Sequence, residues 1–152
     1  MWKTLVVVGL LGIGVLMLYV RLAPSDPGQW HGDSMTAPVP SGNGWLLREG
    51  DGNAPAPVYA ADPAAVLEAL DAIAMATART VRLAGSVEEG RITWVTRSRL
   101  MGFPDYTTAI AVAGPDGTRL AIHARQRFGQ NDLGVNRARI EAWVSALDLP
   151  RG

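Results

Sequence analysis

Six arginines come in three pairs two residues apart: Arg97 and Arg99, Arg125 and Arg127, Arg137 and Arg139. Guanidinium groups meet carboxylate or phosphate with two parallel hydrogen bonds, so such a cluster suits oxyanion binding. Residues 91–139 carry eight arginines against Asp105, Asp116 and Asp132, whereas residues 21–90 carry four against nine acids. The formal net charge of zero is thus the sum of two opposite halves, which argues against a general polyanion binder. Either the acidic half neutralises the basic one inside one domain, or the basic half holds an anion. The ligand-binding set on the second reading is Arg97, Arg99, Asp105, Tyr106, Arg125, Arg127, Asp132, Asn136, Arg137 and Arg139.

Catalytic chemistry has less to stand on. His123 could serve as a base if Asp105 or Asp132 oriented its ring. Ser98 lies between two arginines without the G-x-S-x-G setting of a nucleophile. Glu88 and Glu89 fall in a turn and do not form the facing pair that glycoside hydrolysis needs. The absence of cysteine excludes a disulfide, a thiolate metal site, a catalytic thiol and a lipid-modified cysteine. His31 and Asp33 are two potential ligands without a third, so no metal and no cofactor is expected. A P-loop and an HExxH helix are both missing, and neither a recognition helix nor a stacking platform supports nucleic-acid binding.

Three segments must position these residues. Leu5 to Val20 contains no charged side chain and is flanked by Lys3 and Arg21. A helix over residues 4–23 approaches the roughly 30 Å of a bilayer core. The exit, Arg21-Leu22-Ala23-Pro24, lacks a small-x-small cleavage site, which favours an uncleaved single-pass anchor over a signal peptide. Lys3 and the terminal amine place the N-terminus inside, hence, in a bacterium, an inner-membrane protein with a periplasmic domain. Residues 24–61 are a Pro/Gly-rich linker, partly packed on the domain through Trp30, Trp45, Leu46, Leu47, Val58 and Tyr59, with a short strand at Trp45–Leu47.

Residues 62–149 form the globular domain. Asp62-Pro63 starts a helix whose buried stripe is Val66, Leu70, Ile73 and Thr77, widened by Leu67 and Ala74. Four alternating, β-branched runs follow, at 80–84, 91–98, 106–113 and 118–126. Gly114-Pro115-Asp116-Gly117 joins the last two as a hairpin. A second helix spans 137–147, capped by Asn136, with Ile140, Trp143, Val144 and Leu147 inward. The fold class is α+β: a four-stranded antiparallel sheet with two helices packed on one face, in the order helix, four strands, helix. Period two puts Ile92, Trp94, Leu120 and Ile122 under the helices, and Arg97, His123, Arg125 and Arg127 on the opposite face. Arg137 and Arg139 occupy a helix start, where the macrodipole disfavours cations by up to about 1 kcal/mol each. Asp132, Asp105 or a bound anion must lie beside them.

Two blocks, Arg97-Ser98-Arg99-Leu100-Met101-Gly102-Phe103-Pro104-Asp105-Tyr106 and Phe128-Gly129-Gln130-Asn131-Asp132-Leu133-Gly134-Val135-Asn136-Arg137-Ala138-Arg139, carry a family resemblance. The chain resembles the bacterial and plastid proteins grouped as domain of unknown function 1499, from about Trp30 to Leu147. It departs at Gln126-Arg127-Phe128-Gly129-Gln130-Asn131, where the family pattern is Ser-Arg-Phe-Gly-Arg-Ser, so the loop lacks one arginine. The resemblance implies placement and boundaries rather than chemistry, because no activity is assigned to the family. The resulting reading is a membrane-anchored, non-catalytic domain that binds an anionic small molecule, lipid headgroup or acidic protein. The alternatives are a hydrolase acting on an anionic substrate with His123 as base, and a structural module whose arginines pair internally.

Overall fold

The computed structural model describes all 152 residues. The apolar run forms α1 (Trp2–Leu22), a helix about 32 Å long. It is long and apolar enough to cross a membrane, a property that spans and signal sequences share, and within it only Val20 is buried. Pro24 blocks its continuation. The Asp26 side chain then accepts a hydrogen bond from the Gly28 amide, and Pro27 takes the first position of the single turn α2 (Pro27–Trp30).

The sheet contains six strands and not the expected four. β1 (Gly44–Leu47) and β2 (Val58–Tyr59) come from the Pro/Gly-rich segment. β3 (Thr80–Ser86), β4 (Arg91–Arg97), β5 (Pro104–Gly114) and β6 (Gly117–Gln126) are the four read from periodicity. All pairs are antiparallel, in the order β1-β6-β5-β4-β3, and β2 pairs with the beginning of β6. β1 is the short strand expected at Trp45–Leu47, now joined to the sheet, whereas β2, with two residues, is too short for alternation to be recognised; the partner of both lies far along the chain. Gly44 is required where β1 meets β6, because a Cβ there would collide with the Ala124 carbonyl. The hairpin between β5 and β6 closes on Pro115-Asp116 with Gly114 opposite Gly117, as the turn residues require.

One sheet face carries α3 (Pro63–Ala76) and α4 (Val135–Ala146), which brings the helices, with α1 and α2, to four. Val66, Leu67, Leu70 and Ala74 of α3, with Ile140 and Trp143 of α4, bury against Ile92, Trp94, Ala109, Leu120 and Ile122. Trp94 meets Trp143 edge to face at 5.5 Å. Both indoles are satisfied, by Asp71 and Thr77 respectively, each at 2.8 Å. Such hydrogen bonds are what make the burial of an indole N–H tolerable.

The opposite face is not the open arginine and histidine surface that period two suggests. Residues 24–37 cross it as a strap. The Trp30 ring stacks on Tyr106 at 3.9 Å and 10°. His31 Nδ1 lies 2.8 Å from Thr93 Oγ1, and Ser34 donates to the Thr108 carbonyl. Arg48, just after β1, ties the strap down by donating to the carbonyls of Ser34, Met35 and Ala37. The sheet is therefore buried on both faces, and Thr93, Thr108, His123 and Leu46 lie beneath the strap. Stacking of Trp30 and five side-chain hydrogen bonds from the sheet and Arg48 offset the entropy of ordering a segment whose composition reads as linker.

Candidate functional site

The two blocks 97–106 and 128–139 meet at one end of the sheet, in the loops after β4 and β6. That end also receives the C-terminal turn of α1: Arg21 donates to the Leu100 carbonyl at 2.9 Å, and Tyr19 lies edge-on to Phe128 at 6.3 Å.

Most of the expected ligand set is satisfied within the chain. Arg139 donates to Asp105 Oδ2 at 3.0 Å and to Asn136 Oδ1 at 2.8 Å, with only 10% and 11% of the Arg139 and Asp105 side chains exposed. Burial pushes the Asp105 carboxyl above its usual value, against the pull of Arg139. Asp132 accepts from the amides of Gly134 and Asn136, both at 3.0 Å, and so serves the start of α4. Asn136 is not the cap: Gly134 holds that position, in left-handed geometry, and Asn136 is fully buried as the second residue of the helix. Arg137 pairs with Glu141 at 2.8 Å and lies over the Trp45 ring. The unfavourable helix-start cations thus find anions in Asp105 and Glu141, within their own domain.

Arg125 is held under the strap, where it donates to the Trp30 carbonyl and to Thr108 Oγ1. Burial lowers its pKa. Arg127 donates to the Pro24 carbonyl and to the Tyr106 hydroxyl, which also meets Ser25 Oγ at 2.8 Å. His123 is 6% exposed, and burial, aided by Arg125 and Arg48, lowers its pKa to about 4. Neither Asp105 nor Asp132 touches it, since the first binds Arg139 and the second the helix start. The orientation on which its role as a base depends is absent.

What remains is a different set. Six arginines (48, 82, 91, 119, 137 and 139) each bridge to a carboxylate. Four of the seven that do not, Arg21, Arg79, Arg97 and Arg99, line one cavity of about 450 Å³ with Val81, Ser98 and Gly102. Carbonyls hold them in place: Arg79 donates to the Arg97 carbonyl, Arg97 to that of Gly102 and Arg21 to that of Leu100, each at 2.9–3.0 Å. Arg79 adopts φ 60° at the turn between α3 and β3, a conformation that costs a non-glycine residue roughly 1 kcal/mol. Arg99 is exposed and free. No carboxylate lines this cavity, whereas a neighbouring cavity of about 220 Å³ between the same loops presents Asp105 and Asp132 and would repel an anion. Arg97 and Arg99 belong to the expected set. Arg21 and Arg79 were not legible as partners, because one reads as the flank of an apolar run and the other as a turn residue.

Fold and site define a small α+β domain, strapped on one sheet face and led by an apolar helix, with an arginine cavity where helix and domain meet. The chain belongs to the family described as protein of unknown function (DUF1499), whose family model matches residues 24–147. The match begins with the strap and ends with α4, leaving α1 outside. No curated protein and no solved structure matches the chain.

Proposed function

We propose that this chain is a single-pass inner-membrane protein whose periplasmic domain binds an oxyanion between Arg21, Arg79, Arg97 and Arg99, without catalysing a reaction. The observation that carries this reading is the cavity itself: four arginine side chains line it and no acidic one does. Like charges gathered without a counter-ion repel, so an anion entering there gains from all four. The purified full chain in detergent should melt higher in phosphate than in chloride of matched ionic strength. Ligand at ten times Kd is worth about 1.4 kcal/mol, or about 3–6 °C for a domain of this size. Arg99→Gln removes a side chain with no internal partner, so the variant should fold and lose much of the shift. An equal shift in chloride, or an unchanged shift in Arg99→Gln, would sink the reading.

A further inference from the structure

The position of the cavity indicates where its anion comes from. Arg21 is the last charged residue of α1, and Val7, Leu10, Leu11, Gly14, Val15 and Leu18 line a shallow, open groove of about 400 Å³ on the helix surface, its large side chains 55–68% exposed. At 3.6 residues per turn those positions form one stripe, and Arg21, three residues beyond Leu18 and seven beyond Gly14, continues it. The apolar groove therefore leads up the helix to the arginine cavity. The same end of the domain carries its two most exposed large apolar side chains, Leu133 at 89% and Leu100 at 78%. Leu100 meets Arg21 through its carbonyl, Leu133 lines the neighbouring cavity with Ser98 and Phe103, and Val81 on the arginine cavity's wall is exposed too. Cations beside protruding leucines are the pattern of a surface that settles into a headgroup layer, the leucines entering the acyl boundary and the cations meeting phosphate. A free phosphate would satisfy the guanidinium groups but leave the groove and the leucines without a role.

Resting on the oxyanion reading above, we propose that the cavity holds the phosphate of an anionic phospholipid from the bilayer that α1 enters, with an acyl chain along the Leu18-to-Val7 groove. The lipid would then brace the domain against the membrane at a defined tilt, since its headgroup touches Arg79 in the turn before β3, Arg97 at the end of β4, Arg99 just after it, and Arg21 on α1.

The test uses the full chain in dodecyl maltoside, with dioleoyl phosphatidylglycerol, dioleoyl phosphatidylcholine and inorganic phosphate added separately, reading retained lipid by native mass spectrometry and the melting midpoint in parallel. Phosphatidylglycerol should be retained at least ten-fold better than phosphatidylcholine, and Arg99→Gln should weaken it about five-fold. Gly14→Leu fills the groove in a helix where a Cβ meets nothing within 4 Å and leucine is a better helix former. It should weaken phosphatidylglycerol retention while leaving the phosphate shift intact. A phosphate shift without preference for the anionic lipid overturns this inference and spares the anion site. Loss of both responses overturns the two together. Phosphatidylglycerol retained equally by Arg99→Gln and Gly14→Leu would mark it as annular and also overturn the proposal.

Discussion

His123 shows how a side chain changes meaning with its surroundings. On a bare strand it would be a candidate base, but under the strap it is a neutral imidazole whose pKa has fallen from 6.5 to about 4. The unfolded chain takes up a proton at this histidine as pH drops through 6.5, while the folded chain resists until about 4. Stability is therefore complete above pH 6.5 and declines between 6.5 and 4, by on the order of 3 kcal/mol from this group. Denaturant unfolding at pH 7.5, 5.5 and 4.5 should reveal the decline, and His123→Gln should flatten it. Asp105 works in the opposite direction: its raised carboxyl pKa means the folded state binds a proton more readily than the unfolded state, so its contribution falls as pH rises above the ordinary carboxylate range. The buried Asp105–Arg139 pair is best regarded as a positional device, because desolvating two charges offsets much of their attraction.

The strap, residues 24–37, turns an apparent linker into half of the domain's cover. Its grip rests on the Trp30–Tyr106 stack and on the hydrogen bonds to Thr108, Arg125 and Arg48. Trp30→Ala should cost about 2 kcal/mol, from the lost aromatic pair and its apolar area. By opening the sheet face to water it should also raise the His123 pKa toward 6.5, which a histidine-resolved NMR titration measures. An unchanged titration would mean that strand neighbours, and not the strap, bury the ring. On the other face α3 and α4 follow their apolar stripes closely, since an amphipathic helix of three to four turns declares its buried side by spacing alone. α4 begins at Val135, ahead of the expected 137, because Asp132 supplies acceptors for the orphan amides.

At the scale of the molecule, α1 contributes little to the domain's stability, with only Val20 buried along it and single contacts from Tyr19 and Arg21. A chain beginning at Pro24 should melt cooperatively within about 1–2 kcal/mol of the full chain. A chain beginning at Asn43, which lacks the strap, should not form a cooperative native state, and calorimetry distinguishes the two. The order of helix, strands and helix within 62–149 was legible because alternation, the 3.6-residue stripe and the Gly114–Gly117 turn are local signals that side-chain geometry enforces within a few residues. The apolar run and the arginine excess were equally plain, and Arg97 and Arg99 stand in the cavity. Tertiary structure alone decided which arginines gather at a cavity without a carboxylate. Arg139 is claimed by Asp105, Arg137 by Glu141 and Arg125 by the strap, while Arg21 and Arg79 join Arg97 and Arg99. Charge pairing acts through space over a few ångströms, and the six-stranded register, with β1 and β2 added at the edge of β6, sets those distances between residues up to about a hundred positions apart.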